Sequence, residues 1–211
     1  MSKKRRHERG NPFVVLVLLI VLLGGLYYLN EFYEPGPPAT RSKSGDFIVL
    51  EGCRLIEDPN RNDGDSFRVR HGDEQYVIRL YFVDCPEKRV HSYDKDRIAE
   101  QGRYFGGLSE KETIKLGLDA RDVTLNLVRK NDFSVLTKWE EVYTSGRFYG
   151  LVRFEEGGPN PLYLHQILVQ EGLARIYTRG LDIPGETKSR HLKRLQNFEK
   201  QARKKGKGGW H

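Results

Sequence analysis

Cysteine is scarce in this chain, and the two cysteines present, Cys53 and Cys85, are too few for a disulfide scaffold. They could pair in an oxidising compartment, but the sequence does not show that they do. The composition also lacks the bias of a disordered chain, because 31% of the residues are charged and 11% are aromatic. With 211 residues, the chain is long enough for one folded domain with a sizeable core and an appendage.

Alanine is rare near the N-terminus, where the only one among the first fifty residues is Ala39. A cleaved signal peptide needs small residues before its cleavage point, so this scarcity favours an uncleaved anchor over that alternative. Phe13 to Leu29 contains no charge, and as a helix it would extend about 26 Å, close to the roughly 30 Å of a hydrocarbon core. We predict a basic cytoplasmic N-terminus over 1–11 and a transmembrane signal-anchor helix over 12–33.

The charges around this apolar run predict its orientation. The basic stretch KKRRHER (Lys3 to Arg9) precedes it, while Glu31 and Glu34 follow it. Positive charge stays on the cytoplasmic side, so the rest of the chain is expected in the periplasm or at the cell surface, or secreted if the anchor is cleaved. A linker rich in proline, glycine and serine is predicted over 34–45, and the folded domain over 46–211.

The net charge of +7 and the pI of about 9.3 indicate a polyanionic partner, with simple solubility as the alternative. The basic face of the last predicted helix has the same two interpretations, a nucleic-acid contact or a solvated surface.

Alternating hydrophobicity predicts a small barrel. The expected strands are DFIVLEG from Asp46, a hairpin over DSFRVRHGDEQYVIRLYFV with its turn at 71–73, and the pair FSVLTKWEEV and RFYGLVRF joined near Thr144. Three helices are predicted: one after the capping box of Ser109 and Glu112, one ending at Gly172, and one over the stripe from Leu192 to Ala202. Residues 88–108 show no clear period and are predicted as a long surface loop with one helical turn. The fold class is α+β.

Charged residues recur where turns and a strand end are expected. Asp63 and Asp65 flank Gly64, Arg79 lies in an apolar strand, and IRLYFVDCPE (78–87) ends with two carboxylates. Taken alone, each is an ordinary turn or strand residue. Strand side chains alternate between faces, so Arg79 and the carboxylate of Asp84 converge only if the chain bends near Asp84.

Five stretches, in their order along the chain, resemble the staphylococcal nuclease family, also called the thermonucleases. They are DGDSF (63–67), IRLYFVDCPE (78–87), SGRFYGLV (145–152), LVQEGLARIY (168–177) and HLKRLQNFEKQARKKGKGGW (191–210). The resemblance covers Phe47 to Trp210. It implies an OB-fold barrel of five strands with three helices, phosphodiesterase activity on DNA and RNA, and a requirement for Ca²⁺.

The resemblance also implies a role for each matched position. The implied catalytic residues are Arg79 and Arg147, which bind phosphate, and Glu87, which orients or deprotonates the attacking water. The implied metal ligands are Asp65, Asp84 and the backbone carbonyl of Cys85, with Asp63 in support. Oxygen ligands suit a hard cation such as Ca²⁺, and arginine forks pair well with phosphate oxygens.

Departures from the family fall around the cleft. Ser145 replaces the tyrosine that the family has just before Gly-Arg, so a nucleotide contact there is in doubt. Tyr177 matches either a substrate-side tyrosine or a core position. The segment over 88–108 is enlarged, which could reshape substrate binding.

The sequence therefore predicts a membrane-anchored, calcium-dependent endonuclease, monomeric, with DNA or RNA as substrate. The alternative is a non-catalytic nucleic-acid- or protein-binding module tethered to the membrane. The assignment requires Arg79, Asp84 and Glu87 to face one cleft together with Asp65 and Arg147.

Overall fold

The structure, a computed structural model, describes residues 40–90, 95–154 and 162–211. The predicted basic N-terminus and the predicted transmembrane helix lie outside these ranges. Within them, no helix combines the length and apolar character that crossing a membrane requires.

The described residues form an α+β domain, as predicted. Its strands are β1 (Thr40–Ser44), β2 (Phe47–Leu55), β3 (Ser66–His71), β4 (Glu74–Leu80), β5 (Val83–Asp84), β6 (Phe133–Glu141), β7 (Arg147–Phe154), β8 (Leu162–Tyr163) and β9 (Arg175–Ile176). Its helices are α1 (Lys95–Tyr104), α2 (Glu110–Lys130), α3 (Leu164–Gln170) and α4 (Lys188–Lys204), followed by a 3₁₀ turn over Gly208–Trp210.

Five of the strands close on themselves. The antiparallel series β2, β3 and β4 continues through a parallel β4–β7 pair to β6, and β6 returns to pair with β2. Alternating residues such as Phe67, Val69, Ile78 and Leu80 have no exposed surface, so the apolar face of the hairpin fills the inside of this barrel. The two-stranded β5–β9 sheet is separate from it.

The predicted strands and three predicted helices are confirmed. The β3–β4 hairpin turns at Gly72, and β6 and β7 lie where the strand pair was predicted. Both halves of the capping box at the start of α2 form, between Ser109 and Glu112. Gly172 adopts the left-handed φ of +67° just after α3, as a helix-ending glycine does.

Two expectations about connecting segments were wrong. The linker predicted to reach Gly45 instead contains β1, which pairs along its length with β2. The surface loop predicted over 88–108 contains the ten-residue helix α1. Its buried residues are Ile98, Gln101 and Gly102, and Tyr104 packs half-buried against the core, so too few large apolar residues recur to mark the helix by a hydrophobic period.

The chain kinks at Phe82, between β4 and β5. This residue has no exposed surface and a φ of +71°, which is rare for a bulky side chain. Its N–H donates to Arg179 O at 3.0 Å, and its carbonyl accepts from Tyr177 N at 3.0 Å. Its ring lies against His165 and His191, with centroid separations of 5.3 and 4.7 Å. These contacts hold the strained backbone in place.

Candidate active site

The residues assigned to catalysis and metal binding from the sequence lie around one cleft. Its lining includes all seven of them: Asp63, Asp65, Arg79, Asp84, Cys85, Glu87 and Arg147. The bend that brings them together is at Phe82, two residues earlier than the expected bend at Asp84. Because the kink interrupts the strand alternation, Arg79 and Asp84 reach the same side of the chain.

Arg79 links the two innermost carboxylates. Its Nη1 lies 2.8 Å from Asp65 Oδ1, and its Nη2 lies 2.5 Å from Asp84 Oδ1. Asp65 Oδ2 also accepts a hydrogen bond from the Cys85 N–H at 2.5 Å. One guanidinium therefore bridges both carboxylates in the cleft.

Asp84 accepts hydrogen bonds from four side-chain donors. Besides Arg79, Oδ1 is 2.7 Å from Arg97 Nη2, and Oδ2 is 2.8 Å from Arg175 Nε and 3.1 Å from Gln101 Nε2. Arg97 and Gln101 come from α1, and Arg175 comes from β9. Helix α1 thus completes the site, although the sequence predicted its segment as a surface loop.

Glu87 lies between α1 and α2. Its Oε1 is 2.9 Å from Arg97 Nε, and its backbone N–H donates to Gln101 Oε1 at 3.1 Å. On the other side, a Cβ built on Gly117 would lie 2.5 Å from the carbonyl oxygens of Pro86 and Glu87. Only glycine allows α2 to approach the backbone of Glu87 this closely.

Lys88 holds the loop that carries Asp63. Its buried ammonium group lies 3.2, 3.1 and 2.6 Å from the carbonyl oxygens of Pro59, Asn60 and Asn62 and 2.8 Å from Asp63 Oδ1. These contacts direct the carboxylate of Asp63 towards Lys88.

Arg147 makes no ion pair with the residues that the structure describes. Its Nε donates to Ser145 Oγ at 3.1 Å, and Ser145 in turn donates to the carbonyl of Val142. Ser145, at the position of the family's tyrosine, therefore orients the arginine.

Tyr177 lies at the cleft and is 59% exposed, so it is not a core residue. The guanidinium carbon of Arg175 lies 3.8 Å from the centroid of the Tyr177 ring.

The three carboxyls of the cleft differ in the direction in which the site shifts their pKa values. Burial, together with the neighbouring Asp84, raises the pKa of Asp65 to about 6, although Arg79 opposes the shift. Burial likewise raises the pKa of Glu87 to about 7 against the effect of Arg97. Burial also opposes ionisation of Asp84, but three guanidiniums outweigh it and hold the pKa of Asp84 below its usual value.

The oxygen atoms of the cleft suit a hard cation. Asp65 and Asp84 supply carboxylates, and Cys85 supplies a carbonyl that now accepts from Gln101 Nε2 at 3.2 Å. Both cysteines are free and buried, and burial raises the pKa of the Cys85 thiol well above its usual value, so the thiol is a poor metal ligand. Among the described residues, no three side chains of His, Cys, Asp or Glu gather closely enough to hold a metal alone. The Cys85 carbonyl would have to complete the set.

Sequence reasoning missed four polar residues that organise the site: Arg97, Gln101, Arg175 and Lys88. Arg175 lies in LVQEGLARIY, a stretch that the resemblance already included, and an arginine among apolar residues there was a signal for a buried partner. Nothing in the local sequence marked Arg97 or Gln101, because α1 lacks an apolar period.

In a comparison with known protein families, the chain matches the family described as staphylococcal nuclease homologue over residues 77–211. The match begins within β4, so Asp63 and Asp65 precede it. No curated protein was found to match the chain. Members of the matched family are usually nucleases and are typically calcium-dependent. The match covers more than half of the sequence, and the chain belongs to the staphylococcal nuclease family.

Proposed function

We propose that this protein is a calcium-dependent endonuclease that hydrolyses phosphodiester bonds of DNA or RNA. The observation that carries the proposal is the convergence of Asp65, Arg79, Asp84, Glu87 and Arg147 in one cleft, although they are far apart in the sequence. The closed five-stranded barrel supports the OB-fold assignment. A degenerate binding module would not need to keep all of these charged groups.

Glu87 is proposed to orient the attacking water and to take its proton. A base works best when its pKa is close to the working pH, and the pKa of Glu87 is raised to about 7. As the water oxygen forms its bond to phosphorus, the bond to the leaving oxygen breaks and charge spreads over the non-bridging oxygens.

Arg79 and Arg147 are proposed to stabilise that charge. Arg147 has no ion pair to give up within the described part of the chain, so its fork can meet a phosphate directly. Asp65 and Asp84 already hold the side chain of Arg79 in place, so its guanidinium loses no further conformational freedom during the reaction.

Asp65, Asp84 and the Cys85 carbonyl would hold Ca²⁺, with Asp63 in support. A bound Ca²⁺ would neutralise phosphate charge and polarise the phosphoryl oxygen. The surrounding side chains exclude bulk water from these ligands, since Asp65 is 3% and Asp84 1% exposed.

The cellular setting is part of the proposal. The apolar run over 12–33 would anchor the chain in a membrane with its nuclease domain outside the cytoplasm, and the protein would act as a monomer. The basic residues before this run would keep the N-terminus in the cytoplasm, which sets the orientation of the anchor.

The decisive experiment assays the full-length chain in detergent on single-stranded DNA and on RNA, with Ca²⁺ and with a calcium chelator. We expect cleavage with Ca²⁺, loss of cleavage with chelator, and strong impairment in Glu87→Gln. Cleavage that survives both chelation and Glu87→Gln would refute the mechanism. Binding without cleavage in Ca²⁺ would favour the alternative, a tethered binding module.

A further inference from the structure

Arg97 joins two carboxylates to which the proposed function gives different tasks. Its Nη2 lies 2.7 Å from Asp84 Oδ1, and its Nε lies 2.9 Å from Glu87 Oε1. A guanidinium is planar, so both contacts use one rigid fork. A positive charge therefore already lies between the proposed metal ligand and the proposed base.

The oxygens of Asp84 have no unused acceptor capacity. Oδ1 accepts from Arg79 and Arg97, and Oδ2 accepts from Gln101 and Arg175. Each carboxylate oxygen has two lone pairs, so two donors occupy both of them. A cation can coordinate Asp84 only after one of these donors withdraws.

The three guanidiniums on Asp84 differ in how readily they can withdraw. The side chains of Arg175 and Arg79 are 2% and 11% exposed, whereas that of Arg97 is 42% exposed. Separating a buried ion pair is costly because the charges lose their partner without gaining water. Water solvates an exposed guanidinium when its pair opens, so the contact with Arg97 costs least to break.

We propose that Arg97 is a resident counter-ion that competes with the metal for Asp84 and sets the affinity of the site for Ca²⁺. This inference rests on the proposed function, because it takes Asp84 as a metal ligand. When Arg97 leaves Asp84, the same movement releases Glu87 Oε1, so metal entry and the freeing of the base are one event. Arg97 is a positioning residue in this scheme, because it acts on the reaction only through Asp84 and Glu87.

The test measures Ca²⁺ binding rather than activity. Calcium chloride is titrated into the full-length protein by calorimetry, without substrate, for the wild type, Arg97→Gln, Arg97→Lys and Arg103→Gln. Arg103 is an exposed arginine of the same helix that makes no ion pair with the described residues, so its variant controls for loss of one charge. Circular dichroism and thermal unfolding check the fold of each protein.

We expect Arg97→Gln to bind Ca²⁺ about tenfold more tightly, because the metal no longer displaces a partly exposed ion pair. Arg97→Lys should gain less, since an ammonium keeps the charge but cannot bridge both carboxylates. Arg103→Gln should bind like the wild type. An unchanged or weaker affinity in both Arg97 variants, with the fold intact, would overturn the inference.

The outcomes separate this inference from the proposed function. If the wild type cleaves with Ca²⁺ but Arg97→Gln gains no affinity for Ca²⁺, only the counter-ion proposal is refuted. A gain in Arg97→Gln without nuclease activity in the wild type supports the counter-ion and refutes the enzyme. If none of the four proteins binds Ca²⁺, both ideas are wrong.

Discussion

At the scale of single residues, two carboxyls of the cleft hold protons at a pH where exposed carboxyls have lost them. Burial raises the pKa of Asp65 to about 6 and that of Glu87 to about 7, from ordinary values of 3.8 and 4.5. Between the ordinary and the raised value, the folded protein binds more protons than the unfolded chain. The stability that this protonation contributes is complete at low pH and is lost as the pH rises through the raised value.

Glu87→Gln should therefore flatten the pH dependence of stability in calcium-free buffer. The wild type should lose stability between pH 4.5 and about pH 7 partly because Glu87 is forced to ionise in a buried site, and glutamine cannot ionise. The measurement is the midpoint of thermal unfolding across this range. Glu110→Gln, at an exposed position of α2, is the matched control and should keep the wild-type slope. An equal slope in Glu87→Gln would show that the carboxyl is not perturbed in this way.

Arg147→Ala should lower kcat/KM on single-stranded DNA by roughly 10³-fold, the lower end of what arginines contribute to phosphoryl transfer. The reason is that the guanidinium of Arg147 makes no ion pair within residues 40–90, 95–154 and 162–211, so it can meet the phosphate directly. Steady-state kinetics with saturating Ca²⁺ would measure the change. Arg70→Ala removes an exposed arginine outside the cleft and should leave kcat/KM unchanged. A loss of less than about tenfold in Arg147→Ala would exclude it from the transition state.

At the scale of elements, α1 and α2 contact residues 84–87, the loop that carries Asp84 and Glu87, from two sides. Gln101 of α1 contacts Asp84, the Cys85 carbonyl and the Glu87 N–H, while α2 lies against the backbone of Pro86 and Glu87 at Gly117. The loop has little freedom as a result. Its geometry depends on how closely the helices approach it.

Gly117→Ala separates helix propensity from packing. Alanine is favoured over glycine in a helix by about 1 kcal/mol. Here its Cβ would lie 2.5 Å from two backbone carbonyls, and overpacking of this kind costs about 1–3 kcal/mol or more. We expect a net loss of stability in chemical denaturation and reduced nuclease activity. Asp119→Ala, at a half-exposed position of the same helix, removes only a solvent-accessible ion pair with Lys115 and should be close to neutral. A stabilised Gly117→Ala protein would show that α2 can move away from the loop without cost.

At the scale of the whole molecule, the positive charge is spread over the cleft and α4. Four arginines line the cleft: Arg79, Arg97, Arg147 and Arg179. On α4, Lys193, Lys200 and Lys204 are exposed and make no ion pair with the described residues. None of these lysines lines the cleft, so we expect the α4 face to be solvated.

Salt dependence of binding distinguishes the two surfaces. In the Glu87→Gln background, binding of fluorescent single-stranded DNA is measured at several salt concentrations. Loss of one phosphate contact reduces the slope of log K against log salt by about 0.7 for a single strand. Arg147→Ala should give this reduction, and the pair Lys193→Gln and Lys200→Gln should not. A reduced slope in the lysine pair would make α4 a nucleic-acid contact.

Much of the barrel follows from local sequence, because the alternating hairpin and the capping box at Ser109 depend on neighbouring residues. The convergence of the charged groups does not. It requires a left-handed φ at Phe82, where nothing in the side chain favours that conformation, and contacts with Arg179 and Tyr177 from the end of the domain. Helix α1 was missed because few of the residues that face the core are large and apolar, and Gln101 among them donates hydrogen bonds into the cleft instead.

The ion pair between Arg175 and Asp84 joins residues 91 positions apart, and this distance has a consequence during protein synthesis. Asp84 leaves the ribosome long before Arg175, and a chain that is still being made cannot close the contact. Until then, the chain lacks the contact between Arg175 and Asp84 and the hydrogen bond from the Tyr177 N–H to the carbonyl of Phe82. In the proposed function, the site would therefore be complete only after synthesis has passed Arg175.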